Sequence, residues 1–172
     1  MTSISYPTPT NLSPSRISNF RTCPLQYRFA SIEKLPQPPQ IHLVKGNFVH
    51  RVLELLLGHA PDERTVDAAR RAFDATQSEY EQSARFKALG LSADAKEAFF
   101  KDSRELVNGY YRMENPRNAK IIGLELSLES DFGKFKLRGI IDRLEHNEKG
   151  ELVVSDYKTG RVPDARFSDN KM

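Results

Sequence analysis

The chain has no tryptophan, one cysteine, and no unbroken apolar run long enough to span a bilayer. A lone cysteine, Cys23, excludes an internal disulfide and with it the small stapled folds of oxidising compartments. Without a run of about 18 apolar residues there is no helical membrane anchor to read from hydropathy. No signal-type leader is visible either, so the expected setting is the cytoplasm, with no membrane partner. An excess of one charge is lacking too: 26 Lys and Arg face 23 Asp and Glu, a net +3 that permits a polyanionic partner without demanding one. What remains is a 172-residue chain, 38% hydrophobic, able to bury one ordinary core.

Candidate chemistry concentrates between Leu137 and Gly160, which reads as two strands joined by a tight turn. Asn147-Glu148-Lys149-Gly150 fits a type I turn with Gly150 as the left-handed bulge residue. That turn pairs Asn147 with Glu151, and counting back along both arms sets Asp142 opposite Asp156. Lys158 shares their face by the period of two. Lys134, Lys136, Arg138, Ile140 and Asp142 alternate with Phe135, Leu137, Gly139 and Ile141, which separates a site side from a core side. Two carboxylates and an ammonium on one face repel and desolvate badly as packing alone, and a divalent cation would resolve the conflict. Both faces of the second strand are partly apolar, which predicts a strand deep in the sheet whose polar end emerges at Asp156.

The rest of the chain supplies a scaffold. Residues 1–13 are rich in Pro, Ser and Thr and are expected to be flexible. Ser13 and Pro14 predict a helix start, running to about Arg21 with Ile17 and Phe20 as its apolar side, and Cys23-Pro24 breaks it before Leu25–Phe29 resume. Arg16, Arg21 and Arg28 read first as solvated surface and second as phosphate contacts. A proline-rich connector, residues 35–40, leads to a helix from Gly46 to Leu57 with Gly58 as its stop. His50 then lies near the helix start on a less apolar stripe, and taken alone such a histidine is more often structural than a ligand. Residues 61–87 and 92–113 carry helical periodicity, with Ala68, Ala72, Phe73, Tyr80, Phe99, Leu106, Val107 and Tyr110 inward. From Lys120 the period becomes two. Glu125 joins the face of Asp142 if Phe132-Gly133 forms a two-residue loop, and turns away if Asp131-Phe132-Gly133 forms a three-residue one.

Four stretches in order, LSPSRISNFRTCPLQYRF at 12–29, GNFVH at 46–50, GIID at 139–142 and SDYKTGR at 155–161, resemble the RecB-like branch of the PD-(D/E)XK nuclease superfamily. The resemblance implies an α/β fold: a mainly helical part, 14–113, leads into a restriction-endonuclease-like core sheet at 120–160, whose first three strands form an antiparallel meander. It implies a metal-dependent DNA exonuclease of recombination and repair, with DNA ends or single strands as substrate and a helicase or other repair subunit as a partner. By the same resemblance His50, Asp142, Asp156 and the backbone carbonyl of Tyr157 hold Mg²⁺ or Mn²⁺, and Lys158 orients water or neutralises the phosphate. Arg16, Arg21, Lys136 and Arg138 are the implied DNA contacts. Family members continue into a helix with a Q-x-x-x-Y motif, so the chain is expected to be an N-terminal fragment, missing the C-terminal part of the core and inactive alone. Cys23 matches the first of four cysteines that ligate a [4Fe-4S] cluster in some relatives. The competing reading is a catalytically inactive nucleic-acid-binding subunit of the same fold, in a repair or CRISPR-adaptation complex. A third is an unrelated α/β domain, which Asp142 and Asp156 on opposite faces would support.

Overall fold

Ser13 sets the first helix: its hydroxyl accepts from the Arg16 N–H at 3.3 Å, and Pro14 occupies the first turn, where its missing donor costs nothing. The computed structural model describes residues 9–160, which divide into two compact units. One comprises the chain up to Pro38 together with Ile121–Ser155; the other comprises Pro39–Lys120 together with the segment from Asp156 onward.

The first unit opens with a short strand, β1 (Asn11–Leu12), then helices α1 (Pro14–Thr22) and α2 (Pro24–Tyr27) and a π-helical turn (Arg28–Ile32). Pro24 separates the two helices as expected, and Cys23 caps the second, its sulfur facing the Gln26 N–H at 3.5 Å. The apolar side expected of α1 is not buried: Ile17 is 39% and Phe20 53% exposed. Phe20 finds its partner within the same helical arm, edge-on to the buried Tyr27 ring at 5.5 Å.

The sheet contains β1, β2 (Lys120–Asp131), β3 (Lys136–His146) and β4 (Leu152–Ser155), and every other strand pairs with β3. It is mixed rather than a pure meander, because β1 runs parallel to β3 with Asn11 beside Lys136 and Leu12 beside Leu137. Beside the strand pairing, the Lys136 N–H donates to the Thr10 carbonyl at 2.7 Å, and the Arg16 guanidinium to the Asn11 carbonyl at 2.9 Å. Composition alone missed this strand, since its partner lies more than a hundred residues away in sequence. The β3–β4 turn follows expectation, with Gly150 at φ 79°, its N–H on the Asn147 carbonyl, and the Asn147 N–H on the Glu151 carbonyl at 3.0 Å. The register runs from His146 beside Leu152 to Arg143 beside Ser155. The depth expected of β4 is not observed: Leu152 and Val154 are 66% and 59% exposed.

The second unit is helical: α3 (Ile41–Leu57), α4 (Val66–Gln82), α5 (Ala84–Lys87) and α6 (Ala93–Met113). Thr65, Ser83 and Ser92 cap the last three with side-chain oxygens. Helix α3 begins five residues before the expected Gly46, because nothing in Ile41–Lys45 breaks a helix once the prolines end at Pro39. His50 is therefore mid-helix rather than near the start. Phe48, fully buried, is the hub of the core, with the rings of Phe73, Tyr80, Phe99 and Phe100 edge-on at 5.0–5.8 Å. The buried Arg64 guanidinium donates to the carbonyls of His59, Pro116 and Ala119, tying the α3–α4 connection to the segment after α6. No helix among the described residues is long and apolar enough to cross a membrane.

Candidate functional site

In the sheet unit, the β2–β3 loop decides where Glu125 points. The Phe132 N–H donates to the Phe135 carbonyl at 2.9 Å, so the loop is Gly133-Lys134, with Gly133 at φ 77° and its N–H on the Asp131 carboxylate at 2.7 Å. This is a two-residue loop set one position beyond the one weighed from the sequence, and the even count is what matters for facing. Counting back sets Glu129 across from Arg138, which the Glu129 carboxylate binds at 2.5 Å. The same count reaches Glu125 and Asp142, and a carboxylate oxygen of each lies within 4.8 Å of the other. Glu125 takes a left-handed backbone, φ 45°, which costs a residue with a Cβ roughly 1–2 kcal/mol. Such conformations concentrate where a side chain must be aimed rather than merely packed.

In the helical unit, the segment leaving β4 lies against α3. His50 Nε2 is 2.8 Å from the carbonyl oxygen of Tyr157, a bond in which the imidazole donates and the carbonyl accepts. The Tyr157 ring stands edge-on to both the His50 ring at 6.0 Å and the Tyr110 ring at 5.9 Å. Asp156 and Lys158 flank it on one side of an extended segment, their carboxylate and ammonium 2.5 Å apart and 54% and 81% exposed. A pair that open to water contributes little stability and exchanges partners easily. Gly46, one helical turn before His50, gives Thr159 room: a Cβ at position 46 would sit 3.2 Å from the Thr159 hydroxyl.

The β3–β4 register ends at Arg143 beside Ser155, one residue short of the pairing counted for Asp142 and Asp156, because the strand stops at Ser155. Asp156 and Lys158 thus belong to the chain that follows the sheet, not to the strand. Three of the four implied DNA contacts, Lys136, Arg138 and Arg16, have partners of their own. Lys136 and Arg138 both bind Glu129, at 2.7 and 2.5 Å, and those two bonds hold the Glu129 carboxyl below the usual carboxylate range. Arg16 braces β1, and Arg21 is exposed in the last turn of α1. Sequence reading missed Glu129, whose place across from Arg138 becomes countable only once the loop is known.

The sheet unit offers the carboxylates of Glu125 and Asp142, and the helical unit offers the His50 imidazole, the Asp156 carboxylate and the Tyr157 carbonyl; each set is of donor types that suit a hard divalent cation. A [4Fe-4S] cluster does not fit the residues present, since it takes four thiolates and the 172 residues contain Cys23 alone.

Residues 11–172 match the family model of the PD-(D/E)XK nuclease superfamily. The chain is also similar to a subunit of an ATP-dependent helicase/deoxyribonuclease of Streptococcus mutans, 27% identical over 166 residues that cover 89% of this chain. The aligned region spans 14% of that relative's length.

Proposed function

We propose that this chain, which belongs to the PD-(D/E)XK nuclease superfamily, carries the catalytic residues of a divalent-metal-dependent deoxyribonuclease that removes nucleotides from DNA ends during recombination and repair in the cytoplasm. The observation that carries the reading is the His50 imidazole set 2.8 Å from the carbonyl between Asp156 and Lys158. A chance Asp-x-Lys has no reason to meet a helix histidine at its central carbonyl. The two units are read as parts of one nuclease domain.

In this reading Glu125, Asp142, Asp156, His50 and the Tyr157 carbonyl hold Mg²⁺ or Mn²⁺. When bound, the cation lowers the pKa of a water and offsets the charge that grows on the phosphate. The remaining work falls to the chain. His50 would offer its Nε2 lone pair in the tautomer that carries the proton on Nδ1, in place of its bond to the Tyr157 carbonyl. With Asp156 engaged in holding the cation, the Lys158 ammonium would be available to donate to a phosphate oxygen or to the attacking water. Glu125 and Asp142 concentrate negative charge where a phosphodiester alone would not be welcome, which favours catalysis over simple docking. The name of the Streptococcus relative suggests a helicase as the working partner.

The test uses the protein as the cell makes it. Asp156→Ala and Lys158→Ala should each lower metal-dependent cleavage of DNA ends by about 10²–10³-fold or more while DNA binding stays near wild type, because both act on charge in the transition state. Cleavage at the wild-type rate by Asp156→Ala removes the assignment. Tight DNA binding with no cleavage by the unaltered protein, in either metal, would favour the binding-subunit reading.

A further inference from the structure

On the face of β3 opposite Asp142, the end of the β3–β4 ladder carries a buried polar cluster that the proposed centre leaves unused. By strand alternation that face holds Leu137, Ile141, Arg143 and Glu145, and β4 adds Val153 and Ser155 to it. Arg143 Nη2 donates to the Glu145 carboxylate at 2.8 Å and to the Ser155 hydroxyl at 3.3 Å, and that hydroxyl donates in turn to the same Glu145 oxygen at 3.4 Å. The ion pair is nearly dry, its side chains 5% and 13% exposed. Apolar residues of similar volume often serve as well as such a pair or better, so stability alone is a poor account of charges on a face shared with Leu137, Ile141 and Val153. Position supplies another reason. β4 pairs with β3 over four residues, and its Leu152 and Val154, on the other face, are exposed, so little apolar burial holds it. At the turn, Asn147 closes the ladder, its Oδ1 accepting from the Lys149 and Glu151 N–H groups at 2.9 Å. At the far end the last pair is Arg143 beside Ser155; Asp142 precedes the one in the chain and Asp156 follows the other. A ladder that short frays from an unsecured end.

We infer that Arg143 is a positioning residue of the proposed centre: with Glu145 and Ser155 it locks the far end of the β3–β4 ladder, and so fixes the backbone from which the Asp142 and Asp156 carboxylates extend. Arginine suits the task because it stays charged when buried, whereas a buried lysine readily loses its proton. Groups that orient metal ligands without touching the ion typically change metal affinity or activity by about 10–100-fold when removed. Loss of the lock should therefore show as weaker cation binding rather than weaker DNA docking. The inference rests on the nuclease reading for the work those carboxylates do, but the lock itself belongs to the sheet and is measured without metal or DNA.

The test, in the full chain, combines Arg143→Met with Glu145→Leu, so that neither charge is left buried alone. The double variant should melt within a few degrees of wild type. Hydrogen exchange read by mass spectrometry should quicken across residues 152–155 and stay unchanged at the 147–150 turn. Mn²⁺ binding without DNA, read from the electron paramagnetic resonance of the free ion, should weaken by about 10–100-fold. At a fixed Mn²⁺ concentration kcat should fall while the KM for DNA holds. Ser155→Ala keeps the ion pair and removes only its link to β4; it should show the same exchange and Mn²⁺ effects at severalfold size, and it carries the test alone if the double variant fails to fold. Unchanged exchange or unchanged Mn²⁺ affinity in either folded variant overturns the inference. Asp142→Ala separates the two readings. Wild-type cleavage by Asp142→Ala alongside weaker Mn²⁺ binding in the lock variants defeats the nuclease reading alone. Loss of cleavage by Asp142→Ala with neither effect in the lock variants defeats this inference alone.

Discussion

Replacing Gly46 should leave the fold nearly as stable and still damage activity. Gly46 sits inside α3, where alanine is preferred over glycine by about 0.8–1.0 kcal/mol. Against that gain, the new Cβ would stand 3.2 Å from the Thr159 hydroxyl, tighter than ordinary contact, so Thr159 must rotate or move by a few tenths of an ångström. Rotating one side chain off its preferred angle costs about 0.5–1.5 kcal/mol, so the two terms nearly cancel for Gly46→Ala. Gly46→Val adds two methyl groups that a rotation cannot clear, and the segment itself must shift. That segment carries Asp156, the Tyr157 carbonyl and Lys158, and a 1 Å misplacement of catalytic groups costs about 10²-fold. Thermal melts should therefore place both variants within a few degrees of wild type. Cleavage of DNA ends should fall severalfold for Gly46→Ala and by about 10²-fold for Gly46→Val. Wild-type cleavage by Gly46→Val at unchanged stability would refute the coupling of α3 to the Asp-x-Lys segment.

Phe48→Ala removes the ring at the centre of four edge-on neighbours and should cost about 3–5 kcal/mol in denaturant unfolding; a loss below about 1 kcal/mol would show that the hub is not where the packing lies. Burial raises the Tyr80 and Tyr111 phenols above their ordinary value of about 10, so a titration at 295 nm should show both ionising late. Because the folded value is the higher one, the stability they contribute is complete below the unfolded value and lost as pH rises through the folded value. Glu129→Gln frees Lys136 and Arg138 and should tighten oligothymidylate binding by roughly two- to tenfold at low salt, read by fluorescence anisotropy; weaker binding would mean that Glu129 aligns the two cations rather than occupying them.

How much was legible in the sequence depended on whether the deciding contact was local. The β3–β4 register could be counted because Asn147 and Gly150 specify one turn, and the observed pairing agrees with that count at every step to Ser155. Glu125 could not be placed, because Gly133 tolerates loops of odd and even length and one residue of difference reverses the face. The early start of α3 was hidden by Gly46, a residue that usually marks an end and here marks a close approach. The half-exposed ring of Phe20 shows the opposite error, an apolar helix side assigned by period that the fold leaves largely open, with Tyr27 edge-on to it. β1 was invisible because a two-residue parallel pairing leaves no periodic signal.

His50 needed more than periodicity, since its bonding partner lies 107 residues further on. The structure supplies a physical reason for two short sequence patterns to depend on each other. Gly46 and His50 are four residues apart and so share one face of α3, while Tyr157 and Thr159 are two apart and share one side of an extended segment. Each residue of the helix pair meets a partner in the segment: His50 bonds the Tyr157 carbonyl, and Gly46 leaves room for the Thr159 hydroxyl. Neither contact works with the helix rotated, and rotation is blocked because Phe48, Val49, Val52 and Leu53 bury the other faces. A side chain at 46 would hold the segment off and take its carbonyl out of reach of the imidazole. A residue other than histidine at 50 would leave that carbonyl without its nitrogen neighbour. GNFVH and DYKT are thus two halves of one contact, which is why finding both in one chain says more than finding either.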